Sequence, residues 1–182
     1  MKKIKLSKKS TREEVVTVVV RAFERHNIPT VLVGGSVVSI YTNNEYESKD
    51  LDFISPTDSK KIISIMSEIG FSKKGKDFHH PKCEFTVEFP GRTVAIGDLE
   101  PVHATGELCF AGTKITLLSP TQCIMDRLAW FYFSNDRQCL DQAVSVYKAQ
   151  GANLIKIKSW SIQEGNQEKY EIFVKKIKQV KN

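Results

Sequence analysis

The chain reads as an α/β protein of the α+β kind, with a mixed central sheet flanked by helices and a helical C-terminal section. Three observations predict this. Short β-rich apolar runs alternate with helical periodicity through the first half of the chain. Residues 83–89 alternate at the strand period. From Ser119 onward only helical patterns follow. The chain thus divides into a core over residues 1–118 and a helical section over 119–182, expected to pack on it.

Each element has a local cause. Ser10 and Thr11 stand three residues before Glu13 and Glu14, offering overlapping capping boxes. Val15, Val18, Val19, Ala22 and Phe23 continue at helical spacing towards His26 and Asn27, and Pro29 marks the break. Residues 30–33 form a short strand that stops at Gly34-Gly35, and residues 37–41 a short helix. Residues 43–47 are a polar loop, and 51–54 a second strand closed by Ser55-Pro56. A helix over 57–69 turns Ile62, Ile63, Met66 and Ile69 inward and stops at Gly70. Residues 71–80 read as a lysine-rich connection. On the strand over 83–89, Cys83, Phe85, Val87 and Phe89 share one face, and Glu84, Thr86 and Glu88 the other. Pro90-Gly91 turns the chain, residues 93–96 are the expected return strand, and 114–118 are another strand. Ser119 caps a helix with Pro120 at its first position, reaching Trp130 or beyond. Helices over 136–149, ended by Gly151, and over 167–180 complete the pattern.

Composition narrows the class. Of 182 residues, 41% are hydrophobic and 26% charged, which excludes a disordered chain, and no apolar run is long enough to span a bilayer. The basic opening is followed by an amphipathic helix rather than a signal-peptide core, so a cytoplasmic location is expected. Cys83, Cys109, Cys123 and Cys139 lack zinc-knuckle or redox spacing and are expected reduced. The formal net charge is +6. Lys2, Lys3, Lys5, Lys8 and Lys9 crowd one end, and Lys169, Lys175, Lys176, Lys178 and Lys181 the other, which suits an anionic partner such as RNA or a nucleotide as well as a solvated surface.

The chemistry concentrates at three places. On a strand, Asp50 and Asp52 project from one face and Leu51 and Phe53 from the other. Two neighbouring carboxylates repel, and a divalent cation resolves the conflict. Gly34-Gly35-Ser36 joins an apolar strand to a helix, where glycines admit a phosphate and the helix N-terminus supplies N–H donors. Glu88, on the polar face of a later strand, can join the pair as a metal ligand or a base, with Glu84 the competing acid.

This order of strand, Gly-Gly-Ser, gap, Ser48-Lys49-Asp50-Leu51-Asp52-Phe53 and later strand acid resembles the DNA polymerase β-like nucleotidyltransferase superfamily. The stretch Leu117-Leu118-Ser119-Pro120 followed by Asp126-Arg127-Leu128 is similar to bacterial minimal nucleotidyltransferases related to the AbiEii toxins of toxin–antitoxin systems. The resemblance implies the nucleotidyltransferase fold. It implies that Gly34, Gly35 and Ser36 hold a triphosphate, that Asp50, Asp52 and Glu88 bind Mg²⁺ or Mn²⁺, and that Arg127 faces the phosphates. Relatives often carry arginine where this chain has Tyr46, and strand alternation sends Lys49 to the opposite face.

Other residues receive structural readings. His79-His80 reads as a polar loop. Trp130, Phe131, Tyr132 and Phe133 read as helix–helix core in preference to a base-stacking surface, and Asp136, Arg137 and Asp141 as helix ion pairs. The expected activity is magnesium-dependent transfer of a nucleoside monophosphate from an NTP to a hydroxyl, with tRNA or another RNA as one acceptor class. The alternative is a catalytically inactive nucleotide- or protein-binding module, such as a toxin–antitoxin component acting with a cognate protein partner.

Overall fold

A computed structural model describes residues 4–179. Lys2, Lys3 and Lys181 of the basic ends, and Val180 of the last expected helix, lie outside them. Of the two overlapping capping boxes, the one on Thr11 forms. Its hydroxyl accepts from Glu14 N–H, and the Glu14 carboxylate accepts from Thr11 N–H at 3.0 Å, opening α1 (Arg12–Glu24). Val15, Val16, Val19, Ala22 and Phe23 of α1 are fully buried.

The chain then forms β1 (Val31–Val33), α2 (Gly34–Tyr41), β2 (Asp50–Ile54) and α3 (Ser59–Glu68). Asp58 caps α3 by accepting from Lys61 N–H at 3.0 Å. Its inward stripe differs from the expected one. Ile65 is fully buried and Ile63 is 38% exposed, because Ile62, Ile65 and Met66 fall at i, i+3 and i+4 while Ile63 lies beside that stripe.

The stretch expected to be a plain connection is a hairpin, β3 (Ser72–Lys74) and β4 (Asp77–His79), turned at Gly75 with φ +63°. His79 is therefore a strand residue, and the ring of His80 packs on Phe71 at 5.1 Å. The strand expected over 83–89 is β5 (Thr86–Gly91), so Pro90 and Gly91 extend it rather than turn it. The return strand expected over 93–96 is absent, and one bridge, Ile96 to Leu99, stands there. A second hairpin joins β6 (Gly106–Phe110) to β7 (Thr113–Leu117). Its two-residue turn has Ala111 at φ +49° and Gly112 at φ +75°, the backbone a tight hairpin requires.

These strands form a seven-stranded mixed sheet in the order β3-β4-β5-β2-β1-β7-β6. β1 pairs antiparallel with β2 and parallel with β7, and β2 pairs parallel with β5. The middle strand is thus β2, flanked by β5 and β1. Phe53 and Phe23 both stack against Phe89, at 5.8 and 5.1 Å, so α1 covers the face opposite Asp50 and Asp52. The exposed edge strand β3 carries only Ser72, Lys73 and Lys74, a polar edge that discourages strand addition.

Four helices follow: α4 (Pro120–Ser134), α5 (Arg137–Gln150), α6 (Leu154–Gln163) and α7 (Gln167–Gln179). α6 is an addition to the expected set. It supplies Trp160, which stacks on Tyr132 at 5.5 Å, and Ser161, 2.8 Å from the Tyr132 hydroxyl. α2 packs against α4 and α5, tying the helices to the sheet. Four consecutive aromatics cannot all face inward on a helix. Phe131 and Tyr132 are buried, while Trp130 and Phe133 are 53% and 59% exposed. Asp136 caps α5 through Gln138 and Cys139 N–H instead of pairing with Arg137, and Asp141 pairs with Lys176 of α7. No disulfide forms among the four cysteines.

Candidate active site

The acids assemble through strand register. Asp50 lies opposite Thr86 and Asp52 opposite Glu88 on the parallel β2–β5 pair. Since alternate residues share a face, Asp50, Asp52, Thr86 and Glu88 project together. Val33, the last residue of β1, lies opposite Asp52 on the other side. The chain must then turn sharply from β1 into α2 at the level of that carboxylate. Gly34 makes the turn with φ +73°, and a Cβ there would sit 2.2 Å from Asp52 Oδ2. The glycine thus admits the acid into the angle between strand and helix.

α2 begins without a side-chain cap, so the first N–H groups over Gly34, Gly35 and Ser36 have no side-chain acceptor. Ser36 is fully buried, and its hydroxyl donates to Val33 O at 3.1 Å. The serine therefore braces the turn rather than pointing outward. Tyr46 lies over Gly35, its Cε1 3.5 Å from where a Cβ would be. Arg12 holds the loop that carries Tyr46 in place. Its guanidinium is buried, donates to Ser48 O at 3.0 Å and to Asn44, and lies 5.8 Å from the Phe85 ring.

Each acid has a distinct partner. Asp50 Oδ1 accepts from the Thr86 hydroxyl at 2.5 Å. Glu88 accepts from Lys76 at 2.8 Å, a lysine in the β3–β4 turn. Glu84 is drawn away by Lys49 at 2.8 Å on an exposed edge. Asp52 has only neighbours that disfavour its charge, apart from Arg127. Burial, then Glu88, then Asp50 push its carboxyl up to about 6, against a smaller pull from Arg127. Arg127 itself is 9% exposed and bound by Asp126 at 2.5 Å, with Gln142 Oε1 at 3.5 Å. It reaches the acids as a fixed buried charge, held by α4 and α5.

All donors at this position are hard carboxylate oxygens, which suits Mg²⁺ or Mn²⁺. Among the described residues no set of three such side chains already stands in metal-binding geometry. Asp50 and Glu88 are instead engaged by Thr86 and Lys76.

The Asp52 shift has a stability consequence. Its folded value, near 6, lies above the ordinary 3.8, so the folded state holds a proton that the unfolded state has released. The contribution of Asp52 to stability is then full below pH 4 and is lost as pH rises through 4 to 6, by on the order of 2–3 kcal/mol. In urea denaturation of the metal-free proteins, the wild type should lose stability relative to Asp52→Asn as pH rises across that window.

Three participants carried little sequence signal. Lys76 sits in a stretch without strand periodicity, and Thr86 looked like a plain polar-face residue. Asp126 stood in the Asp126-Arg127-Leu128 block without an assigned purpose, yet it anchors Arg127.

No family model matches the chain, and no curated protein matches it in sequence. Solved structures do match. The structure of ANT(2")-Ia in complex with adenylyl-2"-tobramycin aligns with a TM-score of 0.55 at 12% identity, covering 92% of this chain and 99% of that one. An antigenic nucleotidyltransferase-like protein from Paracoccidioides brasiliensis aligns with a TM-score of 0.57 at 15% identity, covering 79% and 78%. A solution structure of the antibiotic-resistance factor ANT(2'')-Ia gives 0.52 at 12% identity, covering 92% and 91%. At such identities the likeness shows the fold, and that fold is the nucleotidyltransferase fold. Among the described residues no helix is long and apolar enough to cross a membrane.

Proposed function

We propose that the chain transfers a nucleoside monophosphate from an NTP to a hydroxyl acceptor. One observation carries this reading: the glycine turn at an uncapped helix N-terminus abuts Asp52, which lies beside Glu88. A phosphate-binding element and a carboxylate cluster thus meet at one point. Asp50, Asp52 and Glu88 are the residues that would hold Mg²⁺ or Mn²⁺, which when bound neutralises triphosphate charge. The N–H groups of Gly35 and Ser36 bind and orient the phosphates. The acceptor hydroxyl oxygen attacks the α-phosphorus, the bond to the β-phosphate oxygen breaks, and pyrophosphate leaves with that electron pair. Glu88 takes the hydroxyl proton and returns it to solvent. Arg127, buried behind the acids, offsets part of their mutual repulsion.

The basic ends and the +6 net charge favour an RNA acceptor, tRNA among them. A second reading has its own support. Tyr46 covers Gly35, and Ser36 spends its hydroxyl on Val33, which suits a nucleotide- or protein-binding module of the toxin–antitoxin kind. Incubation with each labelled NTP, Mg²⁺ and total RNA separates the two readings. Labelled RNA is the expected result, and absence of label on any acceptor favours the binding module.

The same assay tests the third acid. Glu88→Gln should lower labelling by roughly a hundredfold, whereas Glu84→Gln should leave it within about twofold, because Glu84 turns away to Lys49. Equal loss in both variants would remove Glu88 from the site.

A further inference from the structure

The exposed aromatics of α4 stand one to two turns along the helix from Asp126 and Arg127, whose charges bear on Asp52. Trp130 and Phe133 are three residues apart, so their side chains share one helix face. Asp126 lies one turn earlier on that face, its side chain largely buried beside Arg127. The same face at Cys123 is fully buried, where α4 packs on α2, the helix whose first residue touches Asp52. The aromatic pair therefore begins where α4 leaves the buried Asp126–Arg127 pair. Two cations stand at the C-terminal end of the same helix, against the neighbouring buried Phe131. Lys169 of α7 donates to Phe131 O at 3.1 Å and lies 5.3 Å from the Phe131 ring, and the exposed Arg137 lies 5.9 Å from that ring.

Exposed flat rings with flanking cations suit a single-stranded nucleic acid, whose bases stack while its phosphates are neutralised. Two rings are a far smaller apolar patch than a stable protein dimer buries. The +6 net charge points to the same class of partner. We propose that Trp130 and Phe133 form a stacking platform for an unpaired base of a nucleic-acid acceptor strand, whose terminal hydroxyl enters the carboxylate site. This rests on the nucleotidyl-transfer reading and adds the residues that grip the acceptor strand.

Fluorescence tests it directly. Trp160 is 2% exposed, so a contact quencher acts on Trp130. A short unstructured oligoadenylate should quench the emission, and ATP at the same concentration should leave it nearly unchanged. Trp130→Ala should weaken oligoadenylate binding about tenfold, and Trp130→Phe should retain most of it. Trp130 is on the surface, so thermal melting of both variants should match the wild type. Unchanged binding by Trp130→Ala overturns the proposal. Equal quenching by ATP overturns it too, by assigning the rings to the donor nucleotide. Conversion of a dimer to a monomer by Trp130→Ala in sedimentation overturns it in favour of a contact between copies. Binding is read without turnover. A protein that grips oligoadenylate through Trp130 but labels nothing keeps the platform and loses the transfer reading, and the reverse outcome loses the platform alone.

Discussion

Asp52→Asn is expected to lower magnesium-dependent labelling from an NTP by about two to three orders of magnitude, with the fold intact. Asparagine keeps the side chain's shape against Gly34, so packing in the strand-to-helix angle is unchanged. What it removes is the charge that holds a cation between triphosphate and acceptor, and charge stabilisation dominates phosphoryl-type transfer. The variant should melt higher than the wild type in chelator at pH 7, because Asp52 is destabilised there by burial and by Glu88 and Asp50. Added Mg²⁺ should then narrow the gap by stabilising the wild type more. A lower rate paired with a higher melting temperature separates a functional charge from a structural one. Equal labelling by the two proteins would reject the proposed part of Asp52 in catalysis.

How much of this site was legible follows from how local its causes are. Asp50 and Asp52 were visible as a same-face pair because strand alternation is a property of the segment itself. Gly34-Gly35 was visible because an apolar run stopped there. The placement of Glu88 over Glu84 needed a partner strand, since both lie on the polar face of one segment, and only the β2–β5 register sets Glu88 beside Asp52. The β3–β4 hairpin was illegible for a similar reason. Ser72, Lys73 and Lys74 are all exposed, and one of the hairpin's few inward residues is Phe78, 3% exposed, so no alternation marks it. Yet that hairpin delivers Lys76 to Glu88. The aromatic run at 130–133 misled because composition says how apolar a stretch is, whereas the helix period decides which residues are covered. Ala111 hid the β6–β7 turn, since its φ of +49° is a conformation that asparagine or glycine usually announces.

Gly34→Ala should destabilise the protein by roughly 2–4 kcal/mol and remove labelling as thoroughly as loss of Asp52. Two separate causes contribute. A φ of +73° strains any residue with a Cβ, by about 1–2 kcal/mol. The new methyl also meets Asp52 Oδ2 at 2.2 Å and Cγ at 3.1 Å, and one of them must move. Backbone retreat is blocked, because β2 is hydrogen-bonded on both sides and Leu51 and Phe53 are fully buried on its far face. Rotation of the carboxylate takes it towards Glu88 or Asp50, charges of the same sign. A double-mutant cycle by urea denaturation separates the causes. In an Asp52→Ala background the carboxylate is gone, so Gly34→Ala should cost only the backbone strain. In an Asp52→Asn background the volume remains, so the cost should stay close to that in the wild type. Equal costs in all three backgrounds would show that Asp52 does not occupy the angle Gly34 leaves open. A cost relieved by alanine but not by asparagine places the side chain's bulk, independent of its charge, against the turn that receives the phosphates.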